Sequence, residues 1–291
     1  DGKRIAFASD RGPNPDLSWR TGVYVVDAAG GKPVLVSGGQ ERAFEAPAWS
    51  PDGKLIAAVG HRLEAGNPTR GDIHVFRARA EQKGRNLTAE ADLFVDAMMG
   101  SDIFGTPPAG AQWSPDGADI YFNAPIEGSF ELWRVRLDDA RVERLTKGQH
   151  HLVRPSIGNR GKGLVAAAVR GTATTPADVV AFDVPASRKS PATPVKPRGI
   201  LTLTDLMGEA WAGIELVAPQ AIWTKVDGRR VQGWFYEAPT KRGKPAPTVV
   251  EIHGGPATLY GFSLFWEWQV MVGQGISVFA CNPRGSTGYG Q

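Results

Sequence analysis

Residues 253–256 read His-Gly-Gly-Pro and follow the apolar run "TVVEI" at 248–252. A strand that ends in two glycines releases main-chain N–H groups into a loop where no side chain blocks approach to them, and glycine accepts φ/ψ values closed to other residues. Such amides can stabilise the oxyanion that forms when a nucleophile attacks an acyl carbon. Removing one donor of this kind costs about 2.7–4 kcal/mol of transition-state stabilisation. A tight turn without chemistry is the competing account of these four residues.

A nucleophile to match is harder to find. The chain contains no Gly-x-Ser-x-Gly, the strand–turn–helix pattern that lifts a serine out of a sheet, and Ser263, Ser277 and Ser286 do not stand in such a pattern. Cys281 is the single cysteine, so no internal disulfide framework is available, and its setting in "ISVFAC" predicts a small packed hydrophobe. His150-His151 follows "LTKGQ" and reads as a solvated loop rather than a metal site, while His61 and His74 fall near strand ends without further ligands at useful spacing. No metal and no cofactor is expected. Asn86-Leu87-Thr88 has the glycosylation pattern, a triplet common by chance.

The elements that would position the glycines read as the start of an α/β unit. "IWTKVDGRRVQGWFYEAP" is strand, Asp227-Gly228 turn, strand. "TVVEI" is a short strand of the kind that a parallel sheet buries on both faces. "FSLFWEWQVMVGQG" can be helical, with Phe265, Trp268 and Val272 on one side and Gly273/Gly275 ending it, and "ISVFACN" is the next strand.

Upstream the chain repeats itself. "APAWSPDGKLIAAVG" (46–60) and "GAQWSPDGADIYFNA" (110–124) share Trp-Ser-Pro-Asp-Gly followed by a strand. Pro fixes φ and Gly accepts positive φ, so Ser-Pro-Asp-Gly predicts a tight turn between antiparallel strands, with the Trp ring free to pack on a neighbouring sheet. "DGKRIAFASD" carries the same unit without its front end, and "RPSIGNRGKGLVAAAVRG" (154–171) a degraded copy. The turn glycines Gly2, Gly53, Gly117 and Gly161 are 51, 64 and 44 residues apart. Propeller blades recur at roughly 40–50 residues, so the longer step implies an insertion, placed at 89–110. Each unit continues into a second strand pair, which predicts a β-propeller of four-stranded blades; a two-sheet sandwich is the alternative. About four blades are visible, and upstream blades are expected to be missing. The Pro-, Ser- and Lys-rich stretch 182–199 reads as a hinge or long loop, and "ILTLTDLMGEAW" as the last propeller segment. The expected division is a partial propeller over 1–205 and the first part of an α/β-hydrolase domain over 206–291.

Composition narrows the partners. A net charge of +3 without clustered Lys/Arg argues against nucleic acid, and no apolar run approaches the ~20 residues of a membrane span. The opening Asp-Gly-Lys-Arg does not read as a signal peptide, but as a turn followed by charges.

"HGGPATLYGFSLFWEWQVMVGQGISVFACNPRGSTGYGQ" resembles the opening of the catalytic domain in the prolyl oligopeptidase family, in particular its acylaminoacyl-peptidase branch. In that family a propeller with Trp-Ser-Pro-Asp-Gly turns precedes an α/β-hydrolase domain. The dipeptidyl-peptidase branch shows Tyr where this chain has His253, and paired propeller glutamates that this chain lacks. The resemblance implies a serine peptidase that releases N-blocked amino acids or short peptides through an acyl-enzyme. It implies that the Gly255 N–H is an oxyanion donor, that Gly254 shapes the loop, and that His253 and Pro256 are structural. Asn282, Arg284 and Gly285 would form the loop beside the site, with Arg284 favoured as an ion-pair or carbonyl-binding residue. The triad Ser, Asp and His is absent from the chain, so a complementary chain or segment would complete the sheet; a homo-oligomer is a further option. A cytoplasmic location follows from the one cysteine and the resemblance. The alternative is a propeller that binds a partner and carries a degenerate hydrolase remnant.

Overall fold

The computed structural model describes residues 2–39, 42–64, 70–80, 83–95, 97–103, 109–185, 199–239, 244–255 and 257–290. Pro256 and residues 186–198 of the Pro-rich stretch therefore lie outside the described residues. Four antiparallel meanders come first. They are β1 (Arg4–Ser9), β2 (Gly22–Asp27) and β3 (Val34–Leu35); then β4 (Ala43–Trp49), β5 (Leu55–His61), β6 (Asp72–Arg77) and β7 (Arg85–Asn86); then β8 (Gln112–Trp113), β9 (Asp119–Ile126), β10 (Ser129–Arg136) and β11 (Val142–Arg144); then β12 (His151–Arg160), β13 (Gly163–Thr172), β14 (Thr175–Val184) and β15 (Leu201–Thr202). The third and fourth join through one parallel pairing, Phe130 with His151. The first strands of successive meanders lie beside one another, β1 against β4, β4 against β8 and β8 against β12. Among the described residues no strand of the first meander pairs with one of the fourth, so no ring is closed.

The two Trp-Ser-Pro-Asp-Gly turns are built alike. Ser50 Oγ bonds Asp52 Oδ1 at 2.7 Å and accepts from Leu55 N at 2.9 Å, and Gly53 N donates to Ser50 O at 2.9 Å. Ser114 repeats this with Asp116, Asp119 N and Gly117 N at 2.6, 2.9 and 2.9 Å. Gly53 and Gly117 hold φ of +69° and +73°, which is why glycine stands there. Trp49 and Trp113 end β4 and β8 as expected. Trp113 Nε1 donates to Ala48 O of the preceding sheet at 3.0 Å, and the Arg4 guanidinium lies 4.6 Å over Trp49. The insertion occupies the chain between β7 and β8, where Leu93 and Val95 pack into the apolar cluster shared by the second and third meanders. The glycosylation pattern is internal: Asn86 Nδ2 donates to Asp72 Oδ2, and its Oδ1 accepts from Thr88 N.

Two expectations about histidines are overturned. His150 and His151 are buried, at 2% and 3% exposure, because each finds an internal partner. His150 Nε2 lies 2.9 Å from the fully buried Glu131 carboxylate, which Arg144, Thr146 Oγ1 and Gly148 N also satisfy. His151 Nδ1 lies 3.2 Å from Ser263 Oγ, and burial, with the charge of His150 second, pushes its pKa down to about 3. His74 sits in mid-strand rather than at a strand end, and burial pushes its pKa down to about 4.

The last sheet contains β16 (Gln220–Val226), β17 (Arg229–Tyr236), β18 (Thr248–Glu251) and β19 (Ser277–Cys281), in the order β16-β17-β19-β18. Helix α1 (Gly208–Trp211) precedes it, and α2 (Trp266–Gly273) links β18 to β19. The β16–β17 turn holds Asp227 and Gly228 at φ of +50° and +76°, the two-residue hairpin that the sequence predicts. β18 and β19 are parallel. Trp268 and Val272 of α2 turn onto Tyr236, Val278 and Ala280 to form the local core. β18 departs from expectation. It is the edge of the sheet, with Val250 at 58% exposure and Ile252 beyond it at 74%, since no described strand or helix covers its outer side. Cys281 is half-buried, and burial raises its thiol pKa.

Candidate active site

The parallel strands β18 and β19 each end in a loop, and the two loops touch. From β18 come His253, Gly254 and Gly255; from β19 come Asn282, Arg284, Gly285 and Ser286. Gly254 and Gly255 are exposed, and neither N–H donates a hydrogen bond among the described residues. Gly255 has φ of +126°; a Cβ there would lie 2.9 Å from Ala257 N and 3.2 Å from Thr258 Cγ2, so both backbone conformation and space demand glycine. At Gly254 a Cβ would meet nothing within 4 Å.

The His253 ring spans the two loops. Its Nε2 lies 2.9 Å from Ser286 Oγ, its Nδ1 2.9 Å from Gly254 O, and its plane meets Tyr260 edge-on with centroids 5.2 Å apart. Ser286 Oγ donates in turn to Pro283 O at 2.7 Å. Asn282 is the stronger brace. Buried at 4% exposure, it accepts from Tyr260 N at 2.7 Å through Oδ1. Through Nδ2 it donates to Tyr260 O at 2.8 Å and to Tyr289 Oη at 2.7 Å. Tyr289 passes the chain on to Gln232 Oε1 at 2.7 Å, and burial raises its pKa, keeping the phenol protonated as a donor. Thr287 N donates to Thr258 O at 3.0 Å.

Arg284 differs from its expected role. Its side chain is exposed and makes no ion pair or hydrogen bond among the described residues, because 283–285 turns outward while Ser286 N closes back on Pro283 O at 3.1 Å. Gly285, with φ of +98°, allows that turn. Ser263, Ser277 and Ser286 are all buried and bonded, to His151, to Ala238 N and to the His253–Pro283 pair. Sequence reasoning missed Tyr260 and Gly128. Gly128, in the β9–β10 turn at φ of +72°, receives Phe262 N on its carbonyl at 2.8 Å and lies against the Trp234 ring. Its Gly signal was visible, but not the element it would meet. Among the described residues no group of three or more His, Cys, Asp or Glu could hold a metal ion, and no helix is long and apolar enough to cross a membrane.

No family model matches the chain. A dipeptidyl-peptidase 5 of Porphyromonas gingivalis aligns with all of it at 26% identity, and an uncharacterized Bacillus subtilis peptidase, YuxL, with 22% of it at 44%. The Pyrococcus horikoshii acylaminoacyl peptidase structure covers 99% of the chain with a TM-score of 0.73 at 22% identity. The whole chain thus aligns with a dipeptidyl-peptidase sequence and shares the fold of the acylaminoacyl peptidase structure. A puromycin-hydrolyzing peptidase of Mycobacterium tuberculosis shares the fold at a TM-score of 0.62 and 21% identity. The chain spans 39% of the length of the Porphyromonas relative. The relatives' names divide between dipeptidyl-peptidase and acylaminoacyl peptidase, so His253 and the missing glutamate pair do not by themselves separate the branches.

Proposed function

We propose that the chain supplies the propeller and the oxyanion loop of a serine peptidase. The observation that carries this reading is the pair of exposed glycines at the rim of a parallel strand, with N–H groups unengaged by any described residue. The four meanders act as propeller blades, a reading supported by the side-by-side order of β1, β4, β8 and β12. The division falls between residues 205 and 206, after β15 and before α1. The Gly255 N–H donates to the developing oxyanion of an acyl-enzyme step, and Gly254 leaves room for the substrate carbonyl. His253 and Asn282 hold the loop. Further polypeptide supplies the nucleophile, acid and base and covers the open edge of β18. The substrates are short peptides, N-blocked in the acylaminoacyl-peptidase reading, and the setting is cytoplasmic.

Labelling of the polypeptide that carries this chain with a serine-directed fluorophosphonate tests the proposal. Covalent labelling, with turnover of an N-acetylated aminoacyl anilide above that of the free dipeptidyl anilide, is the expected result. Reversed preference moves the reading to the dipeptidyl-peptidase branch. Absence of labelling overturns it in favour of a binding module.

A further inference from the structure

The loop 253–265 contains three glycines, at 254, 255 and 261. Every residue held in one conformation loses backbone entropy, and glycine loses the most, so such a loop does not hold one shape unaided. Its support comes from a distant stretch, 97–102, within the insertion between β7 and β8. Met99 pairs with Leu259 in a parallel bridge, and Gly100 N donates to Leu259 O at 2.9 Å. Thr258 Oγ1 donates to Met98 O at 2.8 Å, and Ser101 Oγ to Leu264 O at 2.7 Å. The stretch ends on Asp102, whose two carboxylate oxygens accept from Trp266 N at 2.8 Å and Glu267 N at 2.7 Å.

Helix α2 has Phe265 at its N-cap, a residue with no side-chain acceptor. Asp102 performs the capping from 164 residues away, placing a negative charge on the positive end of the helix. Gly261 shows how close the approach is: a Cβ there would lie 2.2 Å from Gly128 O and 2.6 Å from Met99 Cε. The other end of the insertion is rooted in the meanders. Val95 N donates to Gly71 O at 3.0 Å, and Leu93 and Val95 are buried among residues of β5, β6, β9 and β10.

We infer that residues 97–102 form a strap, with Asp102 as its positioning residue, that sets the shape of the glycine loop from the second and third meanders. This deepens the proposed oxyanion role and rests on it for its catalytic meaning. The geometry itself predicts a mechanical link. Displacing the strap frees the helix start and the loop before it together, while the sheet behind them stays in place.

Hydrogen exchange of the chain, unsubstituted, D102A and D102N, tests the strap. D102A is expected to speed exchange about fivefold or more across 258–267, including Tyr260 and Phe262, with the β16–β17 and β5–β6 amides unchanged. D102N, which keeps one acceptor, is expected to lie between. Acceleration confined to Trp266 and Glu267 would reduce Asp102 to a helix cap and overturn the proposal, as would uniform acceleration over the chain. In an active polypeptide the same substitution is expected to lower kcat several-fold with KM little changed. The exchange readout needs no catalysis. A loosened loop in a polypeptide that fluorophosphonate never labels would leave the strap standing and defeat the peptidase reading.

Discussion

The side-chain amide of Asn282 bonds both main-chain groups of Tyr260, accepting from its N–H at 2.7 Å and donating to its C=O at 2.8 Å. One side chain thus imitates a neighbouring strand and locks the loop after β18 to the loop after β19. Asn suits this task because it carries a donor and an acceptor on one planar group. N282D keeps an acceptor for Tyr260 N but turns an oxygen toward Tyr260 O and Tyr289 Oη. The expected cost is about 2–4 kcal/mol, read as a lower urea midpoint, with N282A falling in the same range. A change under 0.5 kcal/mol would show that the loops hold together without it.

Gly254 and Gly255 are predicted to respond differently to substitution. G254A places its methyl in open space and should leave stability within about 0.5 kcal/mol while hindering approach to the amides. G255V meets Ala257 N and Thr258 and must abandon φ of +126°, so it should destabilise the loop as well. In the active polypeptide G254A should lower kcat with an unchanged denaturation midpoint. Equal loss of kcat and midpoint would argue against an oxyanion role.

The two Trp-Ser-Pro-Asp-Gly turns offer a paired test. S114A removes the acceptor of the buried Asp119 N–H and the donor to Asp116, whose pKa that hydroxyl holds down. S50A does the same at Leu55 and Asp52. Each should cost about 1–2 kcal/mol in chemical denaturation. Losses differing by more than twofold would show that the shared turn hides unequal surroundings.

His151 makes stability depend on pH. Its folded pKa is about 3, against 6.5 for the ordinary side chain. Above pH 6.5 both folded and unfolded forms are neutral there, and the group contributes no slope. Between 6.5 and 3 the unfolded chain takes up a proton that the native state refuses, so stability falls as pH drops. From pH 6.5 to 5 the loss is on the order of 1–2 kcal/mol from this residue, with His74 adding in the same direction. H151Q should flatten the slope of stability against pH in that window. An unchanged slope would mean that the native site admits the proton.

Much of this architecture was legible in the residue order. Ser-Pro-Asp-Gly and Asp227-Gly228 specify turns through φ alone, and local φ preferences need no tertiary partner. The alternation of strand formers located the four meanders, and strand, helix, strand located the α/β start. The exposure of Gly254 and Gly255 was likewise readable, because neither residue has a side chain to cover its amide.

The tertiary structure decided where polar side chains find partners. Nothing in "LTKGQHH" reveals that Glu131 and Ser263 wait to bury the two histidines, and nothing in "GSDIF" reveals that Asp102 caps a helix 164 residues on. Burial of a polar group is favourable only when a complementary atom arrives from another element. Residue types and spacing therefore determined the elements and the bare amides. Only the packing of the loops on one another and on the meanders determined which groups hold that loop in place.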